Sequence, residues 1–439
     1  MGVQNSTLPK AKKPLDYYMK KGLISINVCD LTKYFVNLDP KEQSSASNSQ
    51  IIFGDLILRN NKTGGRESFP IVIKAFIPSS DNSLTVEAKI YTNFIRRIIM
   101  DKICPCFINV IAFKKCPGLL LDVRHLPSTT KQKQVLEKGM KNIRERIEAR
   151  EGIKITSFDD LEVNVLVLER AVNSETLHQY VREKKHPEPE VKIILLELMY
   201  ALVCMQEYKV VHNDIHDRNI FITDTGKEET YLFALGTSLD QLFLFNSRKI
   251  PKIFDWDRGS AEGYVNKILE VGQLCIQVGE CNIINNKRDL YFIICSLSST
   301  YLGKLPWFIE FMNRIISPNL VEMQKKISSV KVDVPCRLRS PEKNKGAFIP
   351  PDPLGPLDPP YPGSELWMKS SKDVLLTDPL FKPYNCEEKN GVTMDNFLYV
   401  KHRNIYGLTT EIRRQVIETI ENYRKTKSQA NYDMMDITA

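Results

Sequence analysis

The most informative segment of the chain reads VVHNDIHDRNIFI, from Val210 to Ile222. Two apolar triplets enclose a polar loop in which His212, Asp214 and Asn219 have the spacing H-x-D-x-x-x-x-N. An aspartate held in a turn can accept the proton of an attacking hydroxyl, and an asparagine five residues later can reach a phosphate-bridging Mg²⁺. The segment therefore predicts Asp214 as a catalytic base and Asn219 as a metal ligand. A polar surface loop is the alternative, and it explains the polarity but not the spacing.

Three further charged residues lie where phosphate chemistry would need them. Asp255 follows an apolar stretch and predicts a second Mg²⁺ ligand, although it could instead be a turn residue. It comes 36 residues after Asn219, which predicts an insertion or a long hairpin over Tyr231 to Lys252. Lys74 ends an Ile-Val-Ile-Lys segment, and Glu87 lies on the next predicted helix. An ion pair between Lys74 and Glu87 would hold the lysine against phosphates.

The first part of the chain has the alternation and turn spacing of an antiparallel β-meander, followed by two further strands. The predicted strands are Tyr34–Leu38, Ile51–Leu58, Phe69–Phe76, Phe107–Phe113 and Val163–Leu168. Helical spacing of apolar residues predicts a helix over 84–100. The basic insert Lys131–Arg150 is predicted to be a solvated helix.

After residue 170 the pattern becomes helical. Glu190–Tyr208 is apolar and nearly free of charge, which predicts a buried helix. Further predicted helices are Asp289–Leu302, Trp307–Val321 and the charged, amphipathic Thr409–Lys427. Pro350–Pro362 holds seven prolines in thirteen residues and is predicted to be an extended strap or mobile loop. A β-rich lobe followed by a helical lobe is an α+β layout, with a ligand cleft expected between the lobes.

These residues, taken in order, resemble the protein-kinase-like superfamily. Val210–Asp214 resembles the "IVHRD" of protein kinases, and Ile71–Lys74 resembles their "VAIK". Leu166–Ala171 resembles the hinge that binds adenine through its backbone, and Arg288–Phe292 resembles the helix whose aspartate anchors the catalytic loop. By its divergence from the common kinase pattern, the chain is similar to the serine/threonine kinases of large cytoplasmic DNA viruses. Its Asp-x-His feature is shared with haspin-like kinases.

The resemblance implies a bilobal protein-kinase-like fold, with an antiparallel β-rich N-lobe and a helical C-lobe. The implied parts are a basic tail over 1–29, an N-lobe over 30–170 with a helical insert near 120–150, a C-lobe over 171–345 that holds the catalytic loop, and an extension over 346–439 that holds the proline-rich segment. The implied activity is transfer of the γ-phosphoryl group of ATP to serine or threonine hydroxyls of a protein substrate.

The resemblance also implies a role for each candidate site residue. The catalytic residues would be Asp214, Lys74 and His216, and Mg²⁺ would be held by Asn219 and Asp255. The residues implied to contact ATP are Ser44, Ala46, Ser49, Ile51, Lys74, Glu87, Glu169 and Ala171. In this set Ser44, Ala46 and Ser49 replace the glycines of a kinase phosphate loop, and small residues still let backbone N–H groups approach phosphates. A flexible serine-rich hairpin loop is the alternative for that segment.

Three departures from the kinase pattern leave other functions open. Asp257 stands where kinases have the glycine of D-F-G, and no A-P-E motif follows it. His216 stands where protein kinases usually have a lysine, and small-molecule phosphotransferases of the aminoglycoside and choline type commonly have histidine there. A metabolite phosphotransferase is therefore the second hypothesis. A pseudokinase scaffold is the third hypothesis. The missing glycines favour it, but a scaffold has no chemical reason to keep all five of Lys74, Glu87, Asp214, Asn219 and Asp255.

Composition narrows the class of protein. Among 439 residues, 61 Lys and Arg stand against 53 Asp and Glu, which gives a net charge of +8. That charge suits a phosphorylated ligand, an acidic partner or an anionic membrane surface, but no concentrated basic stripe indicates a nucleic-acid site. An apolar fraction of 42% excludes wholesale disorder. The chain lacks G-x-x-x-x-G-K-[ST], H-E-x-x-H and G-x-S-x-G, the signatures of other common chemistries.

Cysteine usage predicts the compartment. The ten cysteines are scattered rather than spaced as a disulfide framework, which predicts a reducing, cytoplasmic location. Cys104-Pro105-Cys106 and Cys116 form the one cluster, and it predicts buried thiols rather than zinc. No secretory signal and no apolar run of transmembrane length is present in the sequence.

The N-terminal residues Met1–Ser6 match the M-G-x-x-x-[ST] pattern of N-myristoylation at Gly2. Lysines follow at positions 10, 12, 13, 20 and 21. One acyl chain binds membranes only marginally, so nearby basic residues would supply the second signal for association with a membrane or a virion. An ordinary solvated tail is the alternative.

Overall fold

The computed structural model describes residues 28–29, 34–42, 49–59, 65–80, 82–117, 129–152, 154–155, 162–183, 186–271, 287–315, 369–387 and 394–437. These residues form two compact units. The first comprises the described residues of Met1–Met100, Ile108–Val172 and Val265–Val271, and the second those of Asp101–Phe107, Asn173–Tyr264 and Gly272–Ala439. Gly2 with the N-terminal lysines, Ser44, Ala46 and the proline-rich segment lie outside the described residues.

The strands are β1 (Phe35–Pro40), β2 (Ser49–Arg59), β3 (Arg66–Phe76), β4 (Val110–Pro117), β5 (Glu162–Glu169), β6 (Ser174–Thr176), β7 (Val210–Val211), β8 (Ile220–Ala234), β9 (Leu242–Ile253), β10 (Ser260–Ala261) and β11 (Ile405–Gly407). The helices are α1 (Ser83–Ile90), α2 (Arg96–Met100), α3 (Thr130–Glu151), α4 (Leu177–Glu183), α5 (Glu188–Glu207), α6 (Ile268–Val271), α7 (Lys287–Ser298), α8 (Pro306–Ile315), α9 (Ser371–Thr377), α10 (Met394–Phe397) and α11 (Thr410–Ile437). A π-helical turn, Tyr91–Ile95, joins α1 to α2, so the helix predicted over 84–100 is confirmed with this local distortion.

The first unit is built on an antiparallel sheet of order β1-β2-β3-β5-β4. The predicted meander is confirmed as β1, β2 and β3, and both further strands are present. The strand predicted from Phe107 begins instead at Val110. Phe107 itself belongs to the second unit, within which it bridges to Ile253. The mixed α and β class with an antiparallel sheet therefore agrees with the sequence.

The two faces of this sheet carry different residues. Ile71 and Ile73 of β3 are buried in the main core of the unit, whereas Lys74 between Ile73 and Ala75 points to the opposite face. Side chains alternate along a strand, so this division follows from the sequence of β3 alone. The apolar core and the candidate phosphate lysine thus share one strand but not one face.

Helix α3 covers the apolar face, which corrects the prediction that this insert is a solvated helix. Leu136, Ile143 and Ile147 are buried in the same core as the sheet. They recur at helical spacing, so that one stripe of an otherwise charged helix is apolar. The helix begins with a capping box formed by Thr129 and Gln132. The abundance of charged residues concealed the stripe in the sequence.

The cysteines differ from the prediction at one place. Cys116, at the end of β4, forms a disulfide with Cys29, whereas the sequence predicts a buried thiol there. The two residues are 87 positions apart, and only the fold brings them together. Cys104, Cys106 and Cys204 are buried free thiols, as are Cys295 and Cys386.

The second unit contains the predicted buried helix as α5, whose residues from Ile194 to Met205 are almost all fully buried. The predicted C-terminal helix is present as α11, which packs Val416 and Ile420 on a core of β8 and β9 residues. In the part of the chain that the structure describes, no helix is both long and apolar enough to cross a membrane.

The second unit also holds more β structure than the sequence predicts. Strands β8 and β9 form a long antiparallel hairpin, and β8 also pairs with β6 at its start and with β11, in parallel, at its end. The long hairpin predicted between Asn219 and Asp255 is therefore present. Tyr231–Ala234 of β8 and Leu242–Phe245 of β9 bury their apolar side chains, so the part of the chain after residue 170 is not helical throughout.

We expect Leu136→Ala to lower the free energy of unfolding by about 2–5 kcal/mol, because it removes a fully buried side chain and leaves a cavity. The exposed neighbour Lys138→Ala is the control and should change stability by less than about 0.5 kcal/mol. Urea unfolding measures both. Equal, small effects would mean that α3 is solvated after all.

Candidate active site

The loop that follows β7 is held at its start by one carboxylate. Strand β7 pairs with β10, and the chain then turns at His212 and Asn213. The backbone N–H groups of these two residues donate to the two oxygens of Asp289, at 2.8 and 2.9 Å. Asp289 is completely buried, and burial raises its pKa while the two N–H donors oppose that rise. The carboxylate thereby replaces the backbone partners that a turn at this depth would otherwise lack.

The ring of His212 is fixed on both sides. Its Nε2 donates to the carbonyl of Phe254 at 2.9 Å, and its Nδ1 accepts the backbone N–H of Asp214 at 3.3 Å. The proton therefore lies on Nε2, because a carbonyl can only accept and a backbone N–H can only donate. The buried ring of Trp256 packs against His212, with ring centroids 4.5 Å apart. His212 is a structural part of the loop and holds Asp214 to the segment that follows β9.

Asp214 lies on a rigid backbone but keeps an accessible carboxylate. Its carbonyl accepts from Asn219 Nδ2 at 3.0 Å and from the N–H of His216 at 3.0 Å. The carboxylate lies 3.7 Å from Arg258 Nη1 and 3.8 Å from His216 Nε2, and about a fifth of the side chain is exposed. Both contacts are longer than a hydrogen bond, so the carboxylate can still bind an incoming hydroxyl.

Asn219 and Asp255 are brought together through the backbone. The N–H of Phe254 donates to the carbonyl of Asn219 at 3.1 Å, so Asp255 follows directly after a residue bonded to Asn219. Because Asn219 Nδ2 is used by Asp214, its Oδ1 is the atom left to bind a cation. An amide oxygen and a carboxylate are hard oxygen ligands of the kind that Mg²⁺ prefers, so the residues fit this ion. Among the described residues, no group of three or more His, Cys, Asp or Glu side chains is placed to hold a metal.

Asp255 has a strained backbone, with a φ of 68°. Left-handed conformations of this kind are uncommon outside glycine and recur at functional sites. The aspartate that replaces the expected glycine, Asp257, does not have this conformation. The turn therefore needs no glycine at position 257, and the sequence departure there has no backbone cost.

His216 lies beside Asp214 and is held in one tautomer. Its Nδ1 accepts the N–H of Arg218 at 3.1 Å, so a proton on the neutral ring is on Nε2, which faces Asp214. Burial lowers the pKa of His216, against the opposite effect of the Asp214 and Asp217 carboxylates. A neutral imidazole N–H therefore points into the loop.

Sequence reasoning missed residues that hold the loop from outside it. His178 of α4 donates from Nδ1 to the Asp217 carboxylate at 2.7 Å, and Ser296 of α7 accepts the backbone N–H of Asp217 through Oγ at 2.9 Å. Arg258, next to Asp214, was also not anticipated. Each lies on a separate element, and no local spacing in the sequence marks them. Trp256 is different, because it lies between Asp255 and Asp257, two positions that the sequence already marks.

The first unit holds the other half of the predicted constellation. Lys74 Nζ lies 2.7 Å from Glu87 Oε2, so the predicted ion pair forms. Both side chains are nearly inaccessible, at 10% and 1% exposure. Taking both charges out of water costs desolvation free energy, which their attraction repays only with good geometry. Ile51 of β2 pairs with Lys74 of β3, and buried Ser49 lies at the start of β2.

Glu169 and Ala171 lie at the end of β5 and just beyond it. The N–H of Glu169 donates to the carbonyl of Asn109 at 2.8 Å, and the side chain of Glu169 accepts the N–H of Asn109 at 3.2 Å. An adenine contact at Glu169 is therefore left to its carbonyl oxygen. Glu169 lies in the same sheet as Lys74, because β5 pairs with β3, and Ala171 follows two residues later.

The helix that carries Glu87 is tied to a distant segment. Asn82, directly before α1, donates from Nδ2 to the carbonyl of Val265 at 3.1 Å and accepts the N–H of Lys267 at 2.9 Å. The chain reaches Val265 only ten residues after Asp255. One asparagine side chain thus links the start of α1 to the segment that follows the candidate metal ligand.

A second titratable cluster lies within the second unit. Glu197 of α5 is fully buried, and within the described residues neither of its carboxylate oxygens has a hydrogen-bond partner. Burial and the neighbouring Cys104 raise its pKa, and Lys252 opposes them. Cys104 is also within hydrogen-bonding reach of Cys106 and Cys204. Burial therefore favours the protonated, neutral form of Glu197 over the carboxylate.

Comparisons with known proteins add little beyond this geometry. No family model matches the chain, and no curated protein matches it. Among solved structures, it is similar to the crystal structure of a Plasmodium kinase domain, with a TM-score of 0.32 and 12% sequence identity. The match covers 62% of this chain and 67% of that domain.

We expect Asp289→Asn to loosen the start of the loop, because an amide has one acceptor oxygen for two N–H donors and presents its own donor to the second. The free energy of unfolding should fall by about 1.5–3 kcal/mol. Amide hydrogen exchange at His212 and Asn213 should become faster. The exposed Asp240→Asn is the control, and unchanged exchange in Asp289→Asn would contradict the anchoring role.

Glu197→Gln should flatten the pH dependence of stability. A carboxyl with a raised folded-state pKa stabilises the fold below its unfolded pKa of about 4.5, and this contribution is lost as pH rises toward the folded pKa. The wild type should therefore lose stability relative to Glu197→Gln as the pH rises above about 4.5, measured by urea unfolding. The exposed Glu137→Gln serves as control. Parallel curves for Glu197→Gln and the wild type would show that Glu197 is ionised in the fold.

Proposed function

We propose that the chain is an ATP-dependent serine/threonine protein kinase, similar to those of large cytoplasmic DNA viruses. The observation that carries the proposal is the loop from His212 to Asn219, whose start is bound by Asp289. It presents a carboxylate and an amide oxygen, five residues apart, next to the turn at Asp255. In phosphoryl transfer the protein has little covalent chemistry to do. It positions the reactants and stabilises charge, and a carboxylate and a metal-binding oxygen are the groups that do so.

Asp214 is the proposed base. The substrate hydroxyl would donate its proton to the Asp214 carboxylate while the hydroxyl oxygen forms a bond to the γ-phosphorus. The bond from that phosphorus to the bridging oxygen breaks, and ADP leaves with the electron pair. The fixed backbone of Asp214 and its partly exposed carboxylate support this role. His216 would direct its Nε2–H toward a phosphate oxygen.

Asn219 and Asp255 are the proposed ligands of Mg²⁺, through Oδ1 and the carboxylate. Bound there, the ion would neutralise part of the phosphate charge. The chain's own contribution is to hold both oxygens beside each other, which the bond between Phe254 N–H and the Asn219 carbonyl supports. The strained backbone at Asp255 supports this role, because such strain is more common at functional sites than in ordinary turns.

Lys74 is the proposed contact of the α- and β-phosphates, and Glu87 orients it. Ser49 and Ile51 would lie along the nucleotide, with Ser44 and Ala46 completing the phosphate loop. The carbonyl of Glu169 and the backbone of Ala171 would bind adenine. The support for these roles is that β2, β3 and β5 are neighbours in one sheet.

A small-molecule phosphotransferase is the second candidate, and the observation that favours it is His216. A neutral imidazole next to the base is a compact donor, whereas the lysine usual in protein kinases is a full cation. Both candidates use the same base and metal ligands and differ in the hydroxyl that is phosphorylated.

The partners and location are proposed from sequence alone. The substrate would be a protein in the cytoplasm. Gly2, acylated and followed by lysines, would direct the chain to an anionic membrane surface or a virion. A catalytically inactive scaffold would use the same attachment, and the test of phosphoryl transfer separates the two.

We expect purified protein, given γ-labelled ATP and Mg²⁺ with a generic protein substrate, to transfer label to serine or threonine. Asp214→Asn should reduce the rate by about 10²–10⁴-fold because the proton acceptor is lost. Lys74→Met should reduce it comparably, and removal of Mg²⁺ with a chelator should abolish transfer. The exposed Asp240→Asn and Lys138→Met are the matched controls, and circular dichroism checks that all variants fold.

Full activity of Asp214→Asn or Lys74→Met would contradict the proposal. ATP binding without labelled protein, together with ADP release stimulated by a hydroxylated metabolite, would favour the second candidate. If the folded wild type does not bind ATP, the catalytically inactive scaffold is the remaining hypothesis.

A further inference from the structure

Gln50, near the start of β2, joins β2 to the end of β1. Its side chain is completely buried, and its Nε2 donates to the carbonyls of Lys41 and Ile51, both at 3.0 Å. The N–H of Lys41 donates to the carbonyl of Ile51 at 2.9 Å and closes the same end of the hairpin. Gln50 Oε1 is buried and, within the described residues, has no hydrogen-bond partner. Buried amides are rarely left half satisfied, so this position is determined by something other than hydrogen bonding.

Helix α3 supplies that constraint at Gly139. A Cβ built on Gly139 would overlap Gln50 Oε1 and would lie 3.1 Å from Gln50 Cδ. Glycine is a poor helix former, so its place in the interior of α3 needs a packing reason. The amide of Gln50 is that reason, because it occupies the space where any other residue at 139 would begin its side chain.

The same helix also binds β1. Gln132 donates from Nε2 to the carbonyl of Leu38 at 3.3 Å, and its Oε1 accepts the N–H of Thr129 at 2.8 Å in the capping box. Leu136, one turn further, is fully buried in the core that α3 shares with β1 and β2. Two turns of α3 therefore hold both strands of the hairpin at the end that carries Lys41 and Ser49.

The opposite face of β2 carries the candidate nucleotide residues. Side chains alternate along a strand, so Gln50 faces α3 while Ile51 faces the side on which Lys74 lies. A shift of Gln50 moves the backbone of Ser49 and Ile51 with it. The contacts that α3 makes on one face of β2 therefore determine where the residues on the other face of β2 lie.

We propose that Gln50 and Gly139 are positioning residues for nucleotide binding, through which the insert helix α3 holds the β1–β2 hairpin beside Lys74. This inference rests on the proposed ATP site, since it assigns the helix a role in presenting Ser49 and Ile51. Because α3 holds the hairpin on the face away from Lys74, nucleotide binding depends less on the phosphate-loop glycines that this sequence lacks. The contacts that hold it all lie within the first unit.

The test is Gly139→Ala in the full chain. Alanine is the better helix former, so any loss comes from the added methyl group, which displaces the Gln50 amide from the Lys41 carbonyl. Without nucleotide, amide exchange over residues 41–52 should become faster. The KM for ATP should rise about 3- to 10-fold, as expected for one lost hydrogen bond, with kcat within about twofold. Lys138→Ala, exposed on the same helix, should leave both readouts unchanged.

Gln50→Ala completes a double-mutant cycle. It should raise exchange and KM by itself, and Gly139→Ala should add nothing to it, because the methyl group then has no amide to displace. Unchanged exchange in Gly139→Ala, or effects that simply add, would overturn the inference. If Gly139→Ala speeds exchange but the wild type binds no ATP, the proposed function is refuted while the contact between Gly139 and Gln50 stands. The two failures are therefore distinguishable.

Discussion

The candidate site depends on one buried carboxylate. Asp289 lies in the first turn of α7, where the helix N-terminus favours an anion, and it receives two backbone N–H groups that the turn at His212 and Asn213 cannot pair within itself. Burial raises the pKa of this group, and these donors offset the penalty. The turn can therefore lie deep in the unit, with Asn213 in a left-handed conformation, while Asp214 one residue later still reaches solvent.

Much of this arrangement could be predicted from the sequence, because its cause is local. The spacing from His212 to Asn219 fits in one loop, the alternation in β3 places Lys74 opposite the core, and Glu87 lies within reach on the following helix. Interactions of this kind depend on residues close together in the chain or on the periodicity of one element. The ion pair and the antiparallel sheet follow from such patterns.

The features that could not be predicted depend on contacts between distant segments. The Cys29–Cys116 disulfide, the bonds that Asp217 makes with His178 and Ser296, and the amide of Asn82 on Val265 each join parts of the chain that have no common motif. Helix α3 was misjudged for another reason, because three buried residues among many charges give a weak periodic signal. Position 257 differs again, since the residue type suggested a missing glycine where the backbone requires none.

The pairing of β8 with β9 has a consequence for how this chain can change over evolutionary time. Ile220 is opposite Ile253, so the hairpin returns to the point from which it left, and Asn219 and Phe254 meet however long the excursion is. Residues added or removed near its turn, around Leu239, would leave that meeting point in place. The number of residues between the two candidate metal ligands is thus free to drift between relatives, and a search for relatives that assumes a set interval between them would pass over proteins with the same chemistry.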